Sequence, residues 1–373
     1  MGKKGSSISH YLFDFLNFIL YNQDLKIPQA VLAVLIDYSK AFNRCNHNLI
    51  ISILSDMGIP GWLLKIIIGF LKERELIVRY KGRNSSRKAM PGGTPQGTIL
   101  GLFLFLIIVN SAGFKKLEKN LGSKITQSIN KRAPLPYSHM KFIDDLSLVK
   151  SLNLRDCLVT NPNPIHPVTF RDRTHHLLPS SAGDMQTQLD DLHTHSQEHQ
   201  MRINHNKSKV IIFNTARNYD FVPKLTLPDM GGGEYLEVVE HFKLLGVMVR
   251  SDTRWYDNTN YICKKGYGRL WMMMRLKKLG VNTQELLDIY HKQVRSVLEL
   301  AVPVWQPGLT QQEVEQIERV QKCALHIIMG DDYKDYSNAL QTLNCETLNT
   351  RRVRLCEKFA RKARTPDIGT GSL

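Results

Sequence analysis

From Lys141 to Val149 the chain reads Lys-Phe-Ile-Asp-Asp-Leu-Ser-Leu-Val. Two adjacent carboxylates, Asp144 and Asp145, interrupt a run that is otherwise apolar and prone to β-structure. Side chains alternate across a strand, so neighbouring aspartates share a face only where the backbone turns. The pattern therefore predicts a tight hairpin that carries the pair at its tip. A bound divalent cation makes two such carboxylates tolerable at the edge of a core, and a solvated Asp-Asp turn is the alternative.

The composition is that of a large, basic, globular chain. Its 373 residues are enough for a sizeable core and two or three subdomains, and 42% hydrophobic residues exclude a disordered protein. Lys and Arg number 50 against 34 Asp and Glu, which gives a net charge of +16. This excess favours a polyanionic partner, because each neutralised phosphate releases a counterion, although many basic proteins bind no nucleic acid.

The six cysteines are scattered, with no C-x-x-C pair and no histidine spaced for a zinc knuckle. We therefore expect free thiols, an intracellular reducing compartment and no zinc. The longest apolar run, Ile99–Val109, is well short of the ~20 residues that a membrane span needs. It is expected to form a buried helix, in a protein with no membrane partner.

The clearest strand prediction directly precedes Asp37. Residues 30–36 read Ala-Val-Leu-Ala-Val-Leu-Ile, a continuous apolar run typical of a strand buried on both faces. A carboxylate at the carboxyl end of a central strand is where open sheets place their chemistry, and a helix N-cap would look similar. The other elements predicted here are helices over 9–21, over 99–110 and on either side of a break at 58–61, a short strand over 75–80 and a basic turn over 81–88.

A turn-rich loop, Pro-Gly-Gly-Thr-Pro-Gln-Gly-Thr, covers residues 91–98. Gly92 and Gly97 have the spacing of a phosphate-binding P-loop, but Thr98 stands where that motif needs a lysine, and the interpretation is rejected. A loop with three glycines that delivers Gln96 to a helix start suits close approach by a planar or sugar-phosphate ligand.

The second half of the chain is predicted to be irregular at first and helical later. Four prolines predict a long irregular insertion over about 153–183. A basic turn then leads into a strand within 201–213, and 236–249 predicts a hairpin. Beyond Arg250 the pattern becomes mostly helical, and we expect a domain boundary there. The helices predicted in this half cover 184–201, 283–302, 311–329 and 350–364.

Residues 264–278 interleave basic and aromatic side chains. This combination suits contact with a phosphate backbone, with Tyr267 and Trp271 available for stacking. The final helix carries seven basic residues against Glu357 alone, for which a solvated basic face is the default interpretation. The residues expected to contact the nucleic-acid backbone are Lys264, Lys265, Arg269, Lys277 and Lys278.

Asp37, Asp144 and Asp145 each lie at the end of a predicted buried strand. If the two strand ends are neighbours in one sheet, the carboxylates converge on a site for two Mg²⁺ ions, for which Mn²⁺ is an acceptable substitute. Two such metals clamp the attacking and leaving oxygens of an in-line phosphoryl displacement. This supports attack by a 3′ hydroxyl on the α-phosphate of a nucleoside triphosphate. Spacing alone does not distinguish that reaction from those of a nuclease or a phosphatase.

Five segments resemble motifs A to E of reverse transcriptases, in the family's order, and look most like those of non-LTR (LINE-type) retrotransposons. The resemblance extends over residues 7–363. It implies an α+β fold: a polymerase palm with a central antiparallel sheet and packed helices, followed by a mostly helical thumb. The segments are Asp37-Tyr-Ser-Lys-Ala-Phe-Asn43, Pro95-Gln-Gly-Thr98, Phe142-Ile-Asp-Asp145, Asn204-His-Asn-Lys-Ser-Lys209 and Leu244-Leu-Gly-Val247.

The resemblance also implies a role for each matching residue, and an RNA template, a DNA primer and dNTPs as partners. The three aspartates would hold the metals, and Lys207 would protonate the pyrophosphate leaving group. Phe42 would crowd the sugar 2′ position and so favour deoxynucleotides. A core aromatic and a surface cation are the plain alternatives for Phe42 and Lys207. The remaining implied sites are the nucleotide pocket, Gln96 and Gly97, and the primer grip, Leu245, Gly246 and Val247.

Two departures from the family pattern matter. Family members usually carry a second Asp where this chain has Asn43. The basic fingers precede the first motif in the family, so we expect an N-terminally truncated fragment. It would have a palm with partial fingers over 1–249 and a helical thumb with a basic C-terminal helix over 250–373.

Three hypotheses about function follow. The first is an active RNA-directed DNA polymerase, the second is an inactive relic that only binds nucleic acid, and the third is a metal-dependent phosphodiesterase.

Overall fold

The fold combines helices with antiparallel sheets, which confirms the expected α+β class. Among the residues that can be placed, no helix has the length and apolar character needed to cross a bilayer. A computed structural model describes residues 7–25, 29–39, 41–90, 92–95, 97–111, 137–142, 145–153, 179–214, 223–231 and 233–364.

The chain divides into two compact units. The first contains the described parts of Leu25–Val210 and Ala216–Val238. The second contains those of Lys4–Asp24, Ile211–Thr215 and Val239–Leu373. The predicted boundary at residue 250, between a palm with partial fingers and a helical thumb, stays a prediction.

A four-stranded sheet has the strand order β6-β7-β1-β8. Strand β1 is internal and all eight of its residues are buried, which explains why its sequence is apolar without alternation. It pairs antiparallel with β7, from Gln29 opposite Asn153 to Ile36 opposite Leu146. The strands are β1 (Gln29–Ile36), β6 (Tyr137–Phe142), β7 (Asp145–Asn153) and β8 (Lys209–Phe213).

Strands β6 and β7 form the predicted hairpin. They pair antiparallel and close with Phe142 opposite Asp145. The two residues between them, Ile143 and Asp144, lie outside the described residues. The hairpin is therefore confirmed, and Asp145 begins its second strand.

The single strand predicted over 75–80 is wrong. Val78 donates its N–H to the Ser85 hydroxyl at 2.9 Å, so it leaves the ladder and the strand splits. The predicted basic turn over 81–88 is instead mostly the returning side of the same hairpin. Its register shifts by one residue between the two ladders, which is the geometry of a β-bulge. The strands are β2 (Glu75–Leu76), β3 (Arg79–Tyr80), β4 (Arg83–Asn84) and β5 (Lys88–Ala89).

Helices pack beside the sheet in the first unit. Helix α2 contacts both α3 and α4, and α5 contacts β7. The buried helix expected over residues 99–109 is only partly buried as α4, because Leu104 and Phe105 are buried while Leu102 and Phe103 are exposed. The helices are α2 (His47–Asp56), α3 (Gly61–Leu71), α4 (Ile99–Ser111) and α5 (Pro179–Glu198).

The predicted irregular insertion ends earlier than expected. Helix α5 begins at Pro179, inside the range 153–183. Proline is well suited to the first helical position, because the N–H that it lacks would have no partner there. Residues 154–178 lie outside the described part of the chain.

The second unit is mostly helical, as predicted. Helix α1 (Ile8–Gln23) buries an apolar face, and its Phe15 meets Phe213 edge-on at 6.0 Å between ring centroids. The predicted hairpin near 236–249 is confirmed as β9 (His241–Leu244) and β10 (Val247–Arg250). The later helices are α6 (Tyr256–Lys278), α7 (Thr283–Ile289), α8 (Ser296–Leu298), α9 (Val302–Trp305), α10 (Gln311–Met329), α11 (Tyr336–Thr342) and α12 (Leu348–Arg364).

The helix predicted over 283–302 is confirmed as far as Leu298 and ends earlier than predicted. A π-helical segment, Tyr290–Arg295, lies between α7 and α8. Ala301 then adopts φ 52°, a left-handed conformation that ends the helix before α9. Apolar spacing does not reveal either interruption, because the side chains on both sides remain buried.

A buried glutamine joins several of these elements. The Tyr290 hydroxyl donates to Gln321 Oε1, and Gln321 Nε2 donates to the Tyr336 hydroxyl at 2.8 Å and to the Glu346 carbonyl at 2.9 Å. Burial raises the pKa of both tyrosines, so their hydroxyls stay protonated at neutral pH. The network satisfies polar groups that would otherwise be buried without partners.

Replacement of this glutamine should destabilise the helical unit. Gln321→Met keeps the side-chain volume but removes the partner of the Tyr290 hydroxyl and of the Glu346 carbonyl, while Tyr336 keeps its bond to Glu318. We expect a loss of about 1–3 kcal/mol of unfolding free energy. Denaturant unfolding measures this loss. Gln311→Met in the same helix is the control, because that amide meets only Glu315 at the surface. Equal midpoints for the two variants would contradict the network.

Candidate active site

Two of the three predicted aspartates lie at the same edge of the four-stranded sheet. The β1–β7 ladder places Ile36 opposite Leu146. Asp37 directly follows the last residue of β1, and Asp145 precedes Leu146 as the first residue of β7, so both lie at this end of the ladder. Neighbouring strands are about 4.8 Å apart, so the two backbones are adjacent. Asp144 and the side chain of Asp145 lie outside the described part of the structure.

The backbone of Asp37 is fixed by the turn that contains Lys207. Asp37 N donates to Ser208 Oγ at 3.2 Å, and Asp37 O accepts from Asn204 N at 2.7 Å. Ser39 N continues the contact by donating to the Arg202 carbonyl at 2.8 Å. These bonds connect predicted motif A to predicted motif D and the residues before it, through main-chain groups and the Ser208 hydroxyl.

The carboxylate of Asp37 has one oxygen with an unmet bonding capacity. The side chain is 41% exposed, yet Oδ2 is buried and has no hydrogen-bond partner. The nearest described cation is Lys207 Nζ, at 3.9 Å, which is too long for a hydrogen bond. A hard, oxygen-seeking cation such as Mg²⁺ fits this oxygen. The helix N-cap interpretation is wrong for Asp37, because α2 is capped by Asn46, whose side chain accepts from Asn48 N and Leu49 N.

Phe42 lies in a short 3₁₀ turn after β1. Its ring stacks on Phe105 of α4, with centroids 4.1 Å apart and planes inclined by 25°. The ring is thus held in place and partly buried, and its action on the sugar stays a prediction. Asn43, where the family usually has Asp, is exposed.

The glycine loop packs against the same turn, which the sequence analysis missed. Gly93 N donates to Cys45 O, and Thr94 N donates to Phe42 O, both at 2.8 Å. Gly93 has φ 87°, and a Cβ there would lie 3.0 Å from Asn43 Cα and from the Phe42 carbonyl. The glycine is needed for close approach to the protein's own backbone rather than to a ligand.

The remaining nucleotide-pocket residues are less informative. Gln96 lies outside the described residues, and Gly97 is exposed with φ 86°.

Cys45 beneath the loop is buried, and burial raises its pKa to about 11. Its thiol is therefore protonated and unreactive at neutral pH.

The predicted primer grip is the turn of the β9–β10 hairpin. Leu245 and Gly246 occupy the two turn positions with φ 48° and 88°, which is the pattern of a tight two-residue hairpin turn. A Cβ on Gly246 would lie 2.9 Å from Leu300 Cδ2. Val247 is buried at the start of β10. The role of the three residues toward a primer stays a prediction.

The five basic residues predicted to contact a phosphate backbone all lie on α6, in differing surroundings. Arg269 donates to the Gln293 carbonyl, and Lys277 Nζ donates to the carbonyls of Ile327 and Ile328 at 2.6 and 3.1 Å. Lys277 therefore caps the end of α10. The other three are exposed: Lys264, Lys265, whose Nζ is 4.7 Å from the centroid of Tyr261, and Lys278.

A central antiparallel sheet with aspartates on adjacent strands at one edge, flanked by helices, has the architecture of a polymerase palm. Residues 4–249 match the family model described as reverse transcriptase (RNA-dependent DNA polymerase). The chain belongs to the reverse transcriptase family. No curated protein matches it.

Telomerases are among the solved structures similar to this chain. Apo telomerase from Candida tropicalis is 12% identical with a TM-score of 0.42, and the match covers 95% of this chain and 50% of that one. Telomerase from Candida albicans, in complex with a TWJ fragment of telomeric RNA, is 10% identical with a TM-score of 0.33, covering 99% and 53%. The chain spans about half the length of these solved chains.

The packing of Gly93 generates a stability test. Gly82 also has positive φ, 78°, but a Cβ there would meet nothing within 4 Å. Gly82→Ala should therefore cost about 1–2 kcal/mol for the left-handed backbone alone. Gly93→Ala should cost more, because the new methyl also presses on backbone atoms of residues 42 and 43. Denaturant unfolding of both variants measures the difference, and equal losses would show that the close approach does not exist.

Proposed function

We propose that this chain is an RNA-directed DNA polymerase that adds deoxynucleotides to a primer 3′ end during replication of a non-LTR (LINE-type) retrotransposon. One observation carries the proposal: β1 and β7 are paired neighbours, so Asp37 directly after β1 and Asp145 at the start of β7 lie at the same end of the ladder. Family membership supports polymerase chemistry over a nuclease or phosphatase. The order and the residues of the five motifs support the LINE subtype.

In this proposal Asp37, Asp144 and Asp145 hold two Mg²⁺ ions, or Mn²⁺ in their place. Asp37 Oδ2 contributes a buried oxygen that no protein group satisfies. The bound metals supply Lewis-acid stabilisation of the attacking and leaving oxygens. The protein's own part is to hold carboxylates in a fixed arrangement. For Asp37 this is provided by the bond from Asn204 N to its carbonyl and by the bond from its N–H to the Ser208 hydroxyl.

Lys207 and Phe42 have two further roles in the same proposed site: proton donation for Lys207 and selection of the sugar for Phe42. Lys207 Nζ lies 3.9 Å from Asp37 Oδ2, and its side chain is 71% exposed, so it is free to reach a bound triphosphate. Its ammonium group would donate the proton that neutralises the leaving pyrophosphate. Phe42, held by Phe105, is assigned exclusion of a ribose 2′ hydroxyl. Gln96 and Gly97 complete the pocket for the incoming dNTP.

The template and primer would be an RNA–DNA duplex held largely through phosphates. The net charge of +16 supports a polyanionic ligand. On α6, Lys264, Lys265 and Lys278 are exposed, and Trp271 is 55% exposed beside them. These groups suit backbone contact and stacking.

Primer extension on an RNA template tests the reaction. Asp37→Asn and Asp145→Asn should each reduce Mg²⁺-dependent extension by about 10²-fold or more, because each removes a metal ligand. Retained duplex binding would show that the variants fold. Asp56→Asn, an exposed aspartate at the end of α2, is the matched control and should extend normally. Binding without extension by the unaltered chain would identify a relic, and degradation without added nucleotides would identify a phosphodiesterase.

Two neighbouring lysines separate nucleic-acid contact from structural support. Lys278→Ala should flatten the plot of log affinity against log salt by about 0.7–0.9, the slope of one phosphate contact. Lys277→Ala should instead lower the unfolding midpoint, because the carbonyls of Ile327 and Ile328 lose their donor. Salt titrations of duplex binding and thermal unfolding give both readouts. If Lys278→Ala lowers the unfolding midpoint and Lys277→Ala flattens the salt dependence, Lys278 does not belong to the contact surface.

A further inference from the structure

The C-terminal end of α5 brings together three side chains that commonly bind metals. His195, Glu198 and His199 are spaced i, i+3 and i+4, which places them on one face of the helical turn. One potential ligand atom from each lies within 4.8 Å of the others. Within the described ranges no other group of three His, Cys, Asp or Glu residues meets this criterion.

The hydrogen bonding of His199 prepares it to act as a ligand. Its Nδ1 lies 2.9 Å from the His195 carbonyl oxygen, so Nδ1 carries the proton and donates it there. Nε2 then holds a free lone pair, which is the tautomer of a metal-binding imidazole with an oriented ring. The rings of the two histidines are close, with centroids 3.8 Å apart, which restricts both.

The surroundings favour a cation that keeps access to solvent. His195 is 14% exposed and Glu198 is 67% exposed, with His195 Nδ1 and Glu198 Oε2 3.9 Å apart. A metal can therefore enter from solvent and complete its coordination with water. The negative end of the helix dipole also lies here, because Gln200, with φ 53°, ends the helical turn.

We propose that His195, Glu198 and His199 form a binding site for a divalent transition metal of the Zn²⁺ type. Two imidazoles and one carboxylate are a ligand set that Zn²⁺ accepts and that Mg²⁺, which prefers all-oxygen ligands, does not. The site is thus chemically distinct from the one at Asp37. The expectation of no zinc rested on the absence of a C-x-x-C pair and of a histidine spaced for a zinc knuckle, and this cluster has neither pattern.

The site lies just before the segment that bonds to the backbone after β1, so a bound metal would affect that segment. After the site, Met201 N donates to the Ser196 carbonyl, and Gln200 Oε1 accepts from Asn46 at 3.0 Å. Arg202 and Asn204 then bond to the backbone after β1, at Ser39 and Asp37. A bound metal would restrain the start of the segment that fixes Asp37 and carries Lys207.

Zn²⁺ titration of the full chain in competition with a chromophoric chelator tests the site, with thiols kept reduced. The expected result is one saturable site that Glu198→Gln and His199→Gln each weaken by about tenfold or more. His193→Gln is the matched control on the same helix, because His193 pairs with Asp229 instead, and it should leave the affinity unchanged. Saturating Zn²⁺ should raise the unfolding temperature of the unaltered chain but not of Glu198→Gln.

Three outcomes would overturn the proposal. One is the absence of saturable binding, and another is a thiolate charge-transfer band with Co²⁺, which would place the metal on cysteines. The third is binding that survives Glu198→Gln but is lost in Asp37→Asn, which would place it at the palm carboxylates. Glu198 is exposed, so its substitution tests binding without endangering the fold.

Discussion

The antiparallel pairing of β1 with β7 is the constraint on which the candidate site depends. Its register is specified along eight residue pairs, and both strands are largely buried. Both faces of β1 are buried, so packing on both sides of the sheet holds the strand in place. The strand that builds the core therefore also positions Asp37, which follows its last residue, beside the start of β7.

Main-chain hydrogen bonds extend this constraint beyond the sheet. The segment 202–208 bonds to residues 37 and 39, and the loop at 93–94 bonds to residues 42 and 45. Two segments distant in sequence are thus attached to the short stretch after β1. Because the bonds use backbone groups and the Ser208 hydroxyl, the Lys207 side chain remains available for ligands. Gly93 allows one of these approaches because it has no Cβ.

Much of this arrangement could be predicted from the sequence. Apolar runs and helical spacing located β1, α1, α10 and the β6–β7 hairpin, because burial dictates residue type at those positions. The hairpin over 75–89 and the break before Ala301 could not be predicted, since both depend on local hydrogen bonds and left-handed backbone that many residues tolerate. The partner of Gly93 could not be predicted because it is a tertiary contact. The cluster at His199 was not predicted because its short motif lies outside the expected zinc patterns.

The central claim is that Asp37 and Asp145 face one metal site. Fe²⁺ substituted for Mg²⁺ generates hydroxyl radicals that cut the backbone beside the bound ion, and mapping of the fragments reports which residues surround it. The account predicts cuts at both residues 37 and 145, suppressed together by excess Mg²⁺ and absent at both positions in Asp37→Asn. Cleavage at only one of the two positions, or cuts there that Mg²⁺ does not suppress, would contradict it.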